Sequence, residues 1–332
     1  MRILMLGSGA WGTALANLLC ENGHAVTLWN RDAARAAEMD STRRNPRLPD
    51  TELHPAMTFT AAYSAAADCD MVVFAAPSFA IRETAAAVKP YLKPGTILVS
   101  VAKGIEPKTG LRMTQIIEQE TGMPAAALSG PSHAEEVAKG IPTGCVAACA
   151  VISVAEIIQD TFMNDCFRVY ASTDVVGVEL SAAMKNVIAL CAGTSDGLGL
   201  GDNTKALLVT RGMTELARLV VALGGHAETI MGLAGVGDMI VTCTSMHSRN
   251  RRAGILIGQG LPVAEAMKQV GAVVEGYYAA RSAWELSCKA GVEMPICQQA
   301  YAVLYEGKSA AESIRELMRR GKKHEFEDAG WL

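Results

Sequence analysis

The chain has little that would tie it to nucleic acid, membrane or metal. Its 332 residues carry 30 basic and 34 acidic side chains, a formal charge of −4, so a polyanion would find no basic footprint. No stretch approaches the ~20 apolar residues that a membrane span requires; the run 144–155 stops far short. Nine cysteines are scattered without CxxC spacing and read as small, reduced core residues. Cys145 and Cys149 lie four apart, but no histidine neighbours them. Six isolated histidines complete no metal-ligand spacing, and no metal is expected. There is no low-complexity linker and no repeat of solenoid period. The chain starts directly on a strand, so no secretory signal is expected. A soluble, cytoplasmic protein follows as the expectation. With 50% hydrophobic and 19% charged residues, the length leaves room for two domains with large cores.

What is present begins at the first residues. Residues 2–6 (RILML) form a short apolar run, read as a buried strand, that enters Gly7-Ser8-Gly9-Ala10-Trp11-Gly12. A helix-compatible segment follows over 13–21, then a stop at Asn22-Gly23 and a second strand over 25–29. Strand, glycine turn, helix and strand is the order a dinucleotide pyrophosphate needs. Gly7 permits the tight turn, Gly9 lets backbone approach the pyrophosphate, and Gly12 lets helix pack on strand. The helix N-terminus then offers N–H groups and partial positive charge to the phosphates. An isolated glycine cluster is equally an ordinary turn; its place between strand and helix is what argues for a cofactor. At the end of the second strand stand Asn30 and Arg31, with Asp32 one step late for gripping a ribose 2′-hydroxyl. Arg31 suits a 2′-phosphate, which favours NADP and leaves NAD open; a solvated loop arginine is the plainer alternative.

The alternation continues after a polar, proline-bearing excursion over 40–55. Strands are expected over 70–76, 96–102, 125–128, 144–150 and 167–171. Helices are expected over 79–91, with Ser78 as N-cap, and over 109–121, 135–139 and 154–163. This pattern predicts a doubly wound, Rossmann-type parallel sheet. At about Thr173-Asp174 the character changes. Helices are expected over 175–192, 204–223, 263–270, 275–290, 296–305 and 310–319, broken by glycine-rich turns, with Asp202-Asn203 capping the second. Residues 1–173 are therefore expected to be a dinucleotide-binding domain and 174–332 an all-helical substrate and catalytic domain, with a ligand crevice between them.

Ligands of doubly wound sheets bind beyond the carboxyl ends of the strands. Ala102-Lys103-Gly104 and Ser129-Gly130-Pro131-Ser132-His133-Ala134 sit there. Lys103 is either a surface lysine or one that faces an anionic ligand. Lys185 lies in an otherwise almost wholly apolar helix, Ser181 to Leu190. It either snorkels to solvent or is buried, loses hydration and becomes available as a base near neutral pH. Asp238 follows Gly235-Val236-Gly237 and reads as a carboxylate that orients a lysine or as a helix N-cap. Ser248-Arg249-Asn250-Arg251-Arg252 packs three guanidinium groups into five residues. That suits a phosphate clamp, although a solvated charged face remains the alternative, for Arg251 and Arg252 above all. Two rival readings stand beside a phosphate-substrate dehydrogenase: a dehydrogenase of similar plan acting on β-hydroxy acids, and a non-catalytic nucleotide-sensing module.

The full set of motifs resembles a known family. Gly7 to Ala14, Ala102-Lys103-Gly104-Ile105-Glu106, Leu128 to Ser132, Lys185 to Ala189, Gly235 to Asp238, Ser248 to Arg252 and Val274-Glu275-Gly276 resemble, in order, the NAD(P)-dependent glycerol-3-phosphate dehydrogenases of the bacterial type. The resemblance runs to about residue 320; 321–332 carry no signal. It implies interconversion of sn-glycerol 3-phosphate and dihydroxyacetone phosphate, feeding glycerophospholipid synthesis. Lys185 would be the general base, with Asp238 and Thr242 near it, and Lys103 would touch both substrate and cofactor. Gly130, Ser132, Asn186, Ser248, Arg249 and Asn250 would hold the substrate, Arg249 meeting its phosphate. Ala10, Trp11, Arg31, Ala134, Val273 and Glu275, with the three motif glycines and Arg249, would line the cofactor. A homodimer is the expected assembly. Two positions depart from the family: Ala10 where many members have serine, and Ala279 where a threonine is common.

Overall fold

The computed structural model describes residues 1–325; the last seven residues of the expected second domain lie outside the described residues. The chain divides into two compact units. One comprises residues 1–103 and 111–175, the other 104–110 and 176–332. The short segment 104–110, on the N-terminal side of the change in sequence character, thus clusters with the helices.

The first unit alternates β1 (Arg2–Leu6), α1 (Ala10–Glu21), β2 (Ala25–Trp29), α2 (Ala33–Thr42), β3 (Thr58–Thr60), β4 (Met71–Phe74) and α3 (Ile81–Val88). It continues with β5 (Ile97–Ser100), α4 (Met113–Thr121), β6 (Ala125–Ser129), α5 (Ala134–Val137), β7 (Thr143–Ala148), α6 (Ile152–Phe162) and β8 (Phe167–Ser172). The eight strands form one sheet in the order β3-β2-β1-β4-β5-β6-β7-β8. Side chains alternate across it, as period-two geometry requires. Ile3 and Met5 join α1 and α6 in one core, while Leu4 and Leu6 join α3 and α4 in the other. Burial on both faces explains why β4 and β6 read as continuous apolar runs.

Three expectations change. β6 and β7 pair antiparallel, whereas all other pairs are parallel. The connecting α5 has four residues, about 6 Å of helix, too little to retrace a strand of about 16 Å. α6, with 11 residues, is long enough to bring β8 back parallel to β7. Part of the polar excursion is ordered: α2 ends at Thr42, and the short strand β3 follows on the far side of residues 43–57. Ser78 opens a 3-10 turn, and the cap position of α3 falls to Ala80.

The second unit holds α7 (Val175–Gly197), α8 (Asp202–Ala222), α9 (Ala227–Ile230), α10 (Asp238–Thr244), α11 (Arg249–Gly258), α12 (Val263–Val270), α13 (Glu275–Ala290), α14 (Pro295–Tyr305) and α15 (Ala310–Met318). α8 begins at Asp202 with Gly201 in the cap position, so Asp202 sits inside the first turn and pairs with Lys205. α7 is the central rod. It is long and apolar enough to cross a membrane, but 83% of its apolar window is buried inside the protein. α11 lies directly on α7. A Cβ on Gly193 would fall 2.1 Å from the Arg251 carbonyl oxygen, and one on Gly254 would fall 2.0 Å from that of Leu190. The two backbones touch there, and only glycine on both helices allows it.

Candidate active site

At the end of β1 the glycine loop has the shape the sequence implies. Gly7 has φ +128°, and a Cβ on it would lie 2.7 Å from the Ala75 carbonyl carbon at the end of β4. β1 and β4 are the neighbours between which the strand order reverses, where doubly wound sheets bind ligands. A Cβ on Gly12 would stand 2.1 Å from the Gly7 carbonyl oxygen, so α1 packs on the loop itself. Gly9 caps α1, and a Cβ there would meet nothing within 4 Å. The backbone is therefore open on the side where a pyrophosphate would approach the helix N-terminus. Ala10 opens the helix, so the hydroxyl missing at this position leaves its backbone N–H in place. The Nε1–H of Trp11 is buried without a hydrogen-bond partner among the described residues. An open backbone cradle and an orphaned donor both suit a bound dinucleotide.

Two asparagines to which the sequence assigned no such role hold this loop. Asn30 Nδ2 donates to Ser8 Oγ at 2.6 Å. Asn45 Nδ2 donates to the Ser8 carbonyl at 3.0 Å and to Thr13 Oγ1 at 2.7 Å. Asn45 belongs to the stretch read as an irregular excursion; an asparagine before Pro46 was its only signal. Asp32 caps α2 by accepting from the amides of Ala34 and Arg35, whereas Arg31 beside it is exposed. The carboxylate is spent on the helix and the guanidinium is available.

The two polar stretches beyond β5 and β6 meet on one carbonyl. Lys103 Nζ donates to the Gly130 oxygen at 3.0 Å, and Ser132 Oγ donates to the same oxygen at 2.9 Å. A Cβ on Gly130 would press within 2.7 Å of the Gly144 carbonyl oxygen, so this bend admits no side chain. Ala134, buried, opens α5 just beyond.

In the helical unit the buried alternative holds for Lys185. Its side chain is 4% exposed, and Nζ lies 3.0 Å from Asp238 Oδ1, itself 2% exposed. Nζ also donates to Thr242 Oγ1 at 2.6 Å, and that hydroxyl donates to the Asp238 carbonyl at 2.6 Å. Asp238 is not an N-cap: Gly237 holds that position, after a π-helical turn over Leu233–Gly237. The turn aims the carboxylate at α7 instead. Burial disfavours the ammonium, whereas a carboxylate at this distance favours it; the two effects oppose on one nitrogen. Cys243, next to Thr242, is pushed up to about 12, chiefly by burial, and stays a thiol.

Three motifs far apart in sequence converge beside that pair. Asn250 Nδ2 donates to Asn186 Oδ1 at 2.9 Å across 64 positions, and the Gly276 amide donates to Asn250 Oδ1 at 2.8 Å. A Cβ on Gly276 would lie 2.5 Å from the Asn186 carbonyl oxygen. The asparagine after the lysine, the one in the arginine-rich stretch and the glycine of Val274-Glu275-Gly276 therefore form one buried knot. Glu275 begins α13, where a carboxylate complements the helix N-terminus, and Val273 lies half-buried just before it. Ala279, the second departure, is buried in the helical core.

The arginine cluster separates once it is wound on α11. Arg251 donates to Asp196 Oδ2 through Nε at 3.0 Å and Nη2 at 2.8 Å, and to the Thr244 carbonyl at 2.9 Å. It is a tether between α11 and α7. Arg252 is half-buried. Arg249 is exposed at the first turn and enters no hydrogen bond or ion pair among the described residues. Ser248 caps the helix, accepting from the Arg251 amide at 3.2 Å. Of the three guanidinium groups, Arg251 is thus tied to α7, Arg249 stands exposed at the helix N-terminus, and Arg252 keeps a buried Nε–H without a partner among the described residues. Among the described residues no group of histidine, cysteine or carboxylate side chains could hold a metal ion.

Comparison with known proteins agrees over both units. Residues 2–155 match the model for the N-terminus of NAD-dependent glycerol-3-phosphate dehydrogenase, and residues 174–315 match that for its C-terminus. A glycerol-3-phosphate dehydrogenase (NAD(P)+) of Thermoanaerobacter sp. is 50% identical over 327 residues, covering 98% of this chain and 99% of that protein. The enzyme of that name from Fusobacterium nucleatum is 51% identical over 332 residues, covering 98% and 99%. Among solved structures, glycerol-3-phosphate dehydrogenase from Coxiella burnetii superposes with a TM-score of 0.92 at 36% identity, covering 96% of this chain and 99% of that one. With a Rossmann-type sheet, a helical second unit and family matches along nearly its whole length, the chain belongs to the NAD-dependent glycerol-3-phosphate dehydrogenase family.

Proposed function

We propose that this protein interconverts sn-glycerol 3-phosphate and dihydroxyacetone phosphate, using NADP in preference to NAD. The observation that carries the reading is the buried Lys185–Asp238–Thr242 set in a chain of this family. The first unit, taken as residues 1–173, holds the dinucleotide through Gly7, Gly9, Ala10, Trp11, Gly12, Arg31 and Ala134. The helical domain from residue 174 supplies the proton. When bound, the nicotinamide accepts or returns hydride at the substrate C2. Lys185 takes the C2 hydroxyl proton in oxidation and returns it in reduction, assistance worth typically ~10²–10⁴-fold. Asp238 and Thr242 hold its nitrogen in place. Lys103, anchored by the Gly130 carbonyl with Ser132 beside it, favours negative charge on the reacting oxygen and reaches substrate and cofactor alike. Arg249 meets the substrate phosphate, and also the cofactor, at the α11 N-terminus that Ser248 caps. Asn186 and Asn250 fix the substrate through amides that their own hydrogen bonds orient. Val273 and Glu275 complete the cofactor contacts.

The preference for NADP rests on Arg31, exposed where Asp32 is engaged as a cap. The same reading makes the protein a cytoplasmic homodimer that supplies glycerol 3-phosphate for phospholipid synthesis; its nine cysteines, which form no disulfide among the described residues, suit a reducing compartment. Initial rates with dihydroxyacetone phosphate against NADPH and NADH test it, with β-oxo acids as competing substrates. Reduction of dihydroxyacetone phosphate, faster with NADPH, is expected. Turnover of the oxo acids alone would overturn the substrate, and a preference for NADH would overturn the role of Arg31.

A further inference from the structure

The helical unit contains a cavity of about 730 Å³, lined by α7, α8, α14, α15 and the residues after α15. Neither Lys185 nor any residue of the asparagine knot lines it. Its volume lies within the range of sites that enclose small ligands. The walls are apolar: Leu190, Leu207, Val303, Leu304, Ile314 and Leu317. Three polar atoms interrupt them. Ser195, Ser313 and Gln299 line the cavity, and Ser195 Oγ, Ser313 Oγ and Gln299 Oε1 are buried without a hydrogen-bond partner among the described residues. Ser195 is 1% exposed and Ser313 4%. Buried polar atoms ordinarily find partners, and here three orphaned ones belong to residues that line one cavity. The lining is also charged, with Arg211, Arg218, Arg320 and Lys323 set against the buried carboxyl of Glu215 and against Glu325. Arg320 and Lys323 share Glu293, while half-buried Arg218 enters no hydrogen bond or ion pair among the described residues.

We propose that this cavity is a ligand site separate from the lysine site and takes a single-chain anionic amphiphile such as a fatty-acid anion. The apolar walls receive the chain, Arg218 receives the charged head, and the orphaned hydroxyls share its oxygens. An uncharged sterol or alcohol would make no use of the excess of cations in the lining, and a free anion would leave the walls without a role. Charge complementarity and the orphaned atoms together select the amphiphile. Ser195 lies ten positions beyond Lys185 on α7, about 15 Å along the rod, so an occupant would pack against the helix that carries the lysine.

Calorimetric titration of the full chain with sodium laurate, below the concentration at which it forms micelles, tests the site. Saturable one-to-one binding is expected. Dodecanol should bind at least about tenfold more weakly, and acetate and inorganic phosphate should not bind. Arg218→Gln should weaken laurate about tenfold and leave dodecanol unchanged, the scale of one charge-assisted hydrogen bond. Leu207→Glu, at a partly exposed wall position where folding tolerates a charge, should weaken both. Thermal melts check that the variants remain folded. No saturable binding, or laurate binding untouched by both substitutions, overturns the proposal. Binding gained only when the chain is shortened to end at Glu325 also overturns it, because the last residues would then be the occupant.

Discussion

Lys185 Nζ and Asp238 Oδ1 lie 3.0 Å apart inside the helical unit, and their side chains are 4% and 2% exposed. An ion pair so buried is costly to assemble and more costly to break, because removing one partner strands the other charge. An acid–base role, as proposed above, is one that such a pair can serve.

Replacing the lysine should therefore separate chemistry from stability. Lys185→Ala should lower kcat by ~10²–10⁴-fold with a smaller change in KM. It should also lower the melting temperature, since Asp238 is left buried and unpaired. Lys185→Met combined with Asp238→Leu should recover much of the stability and none of the turnover. Near-normal kcat in either variant would remove Lys185 as the acid–base group.

The arginines of α11 should respond differently. Arg249→Ala should raise the KM for the phosphorylated substrate at least about tenfold, the loss of a charge-assisted hydrogen bond, and leave the melting temperature alone. Arg251→Ala should act chiefly on stability, because it cuts the tether to Asp196. Steady-state kinetics beside thermal melts of both variants decide the matter. An unchanged KM in Arg249→Ala would exclude that residue from the phosphate.

Glycines of the first loop provide a second contrast. At Gly12 an added Cβ would strike the Gly7 carbonyl, so Gly12→Ala should destabilise the first unit as an overpacked core does, by about 1–3 kcal/mol or more. At Gly9 the methyl group enters open space. Gly9→Ala should fold normally and bind dinucleotide more weakly, measured as quenching of tryptophan fluorescence on titration with NADPH. Unaltered affinity in Gly9→Ala would place the pyrophosphate elsewhere.

Glu215 makes stability depend on pH. Its carboxyl, on α8, accepts from the Ile296 and Cys297 amides at 2.7 and 3.2 Å. Burial nevertheless raises it from 4.5 to about 7, against the pull of those amides, Arg218 and Arg320. The half-buried thiol of Cys191 and the buried one of Cys297 face it from α7 and α14. Between pH 4.5 and 7 the folded chain holds a proton that the unfolded chain has released. Stability from this group is therefore greatest below 4.5, falls as pH rises to 7, and is flat above, by on the order of 3 kcal/mol in all. The melting temperature of the native chain minus that of Glu215→Gln should fall across this window. A difference independent of pH would show that burial does not hold the proton.

Much of this protein is local in origin and was legible along the chain. β1 and β2 lie at their expected residues, as do α12 and α13, because a short apolar run or a 3.6-residue stripe reports burial directly. The glycine motif was readable for a similar reason: each glycine answers a steric demand within a few residues of itself. Periodicity says which face is buried, however, and not what stands opposite. The pairing of Lys185 with Asp238, the link from Asn186 through Asn250 to Gly276, and the choice of Arg249 over Arg251 as the available cation all depend on where α10, α11 and α13 lie against α7. That placement comes from tertiary packing, above all the glycine contact at Gly193 and Gly254. The antiparallel turn between β6 and β7 was likewise set by the reach of a four-residue helix, a length that apolar pattern alone leaves open.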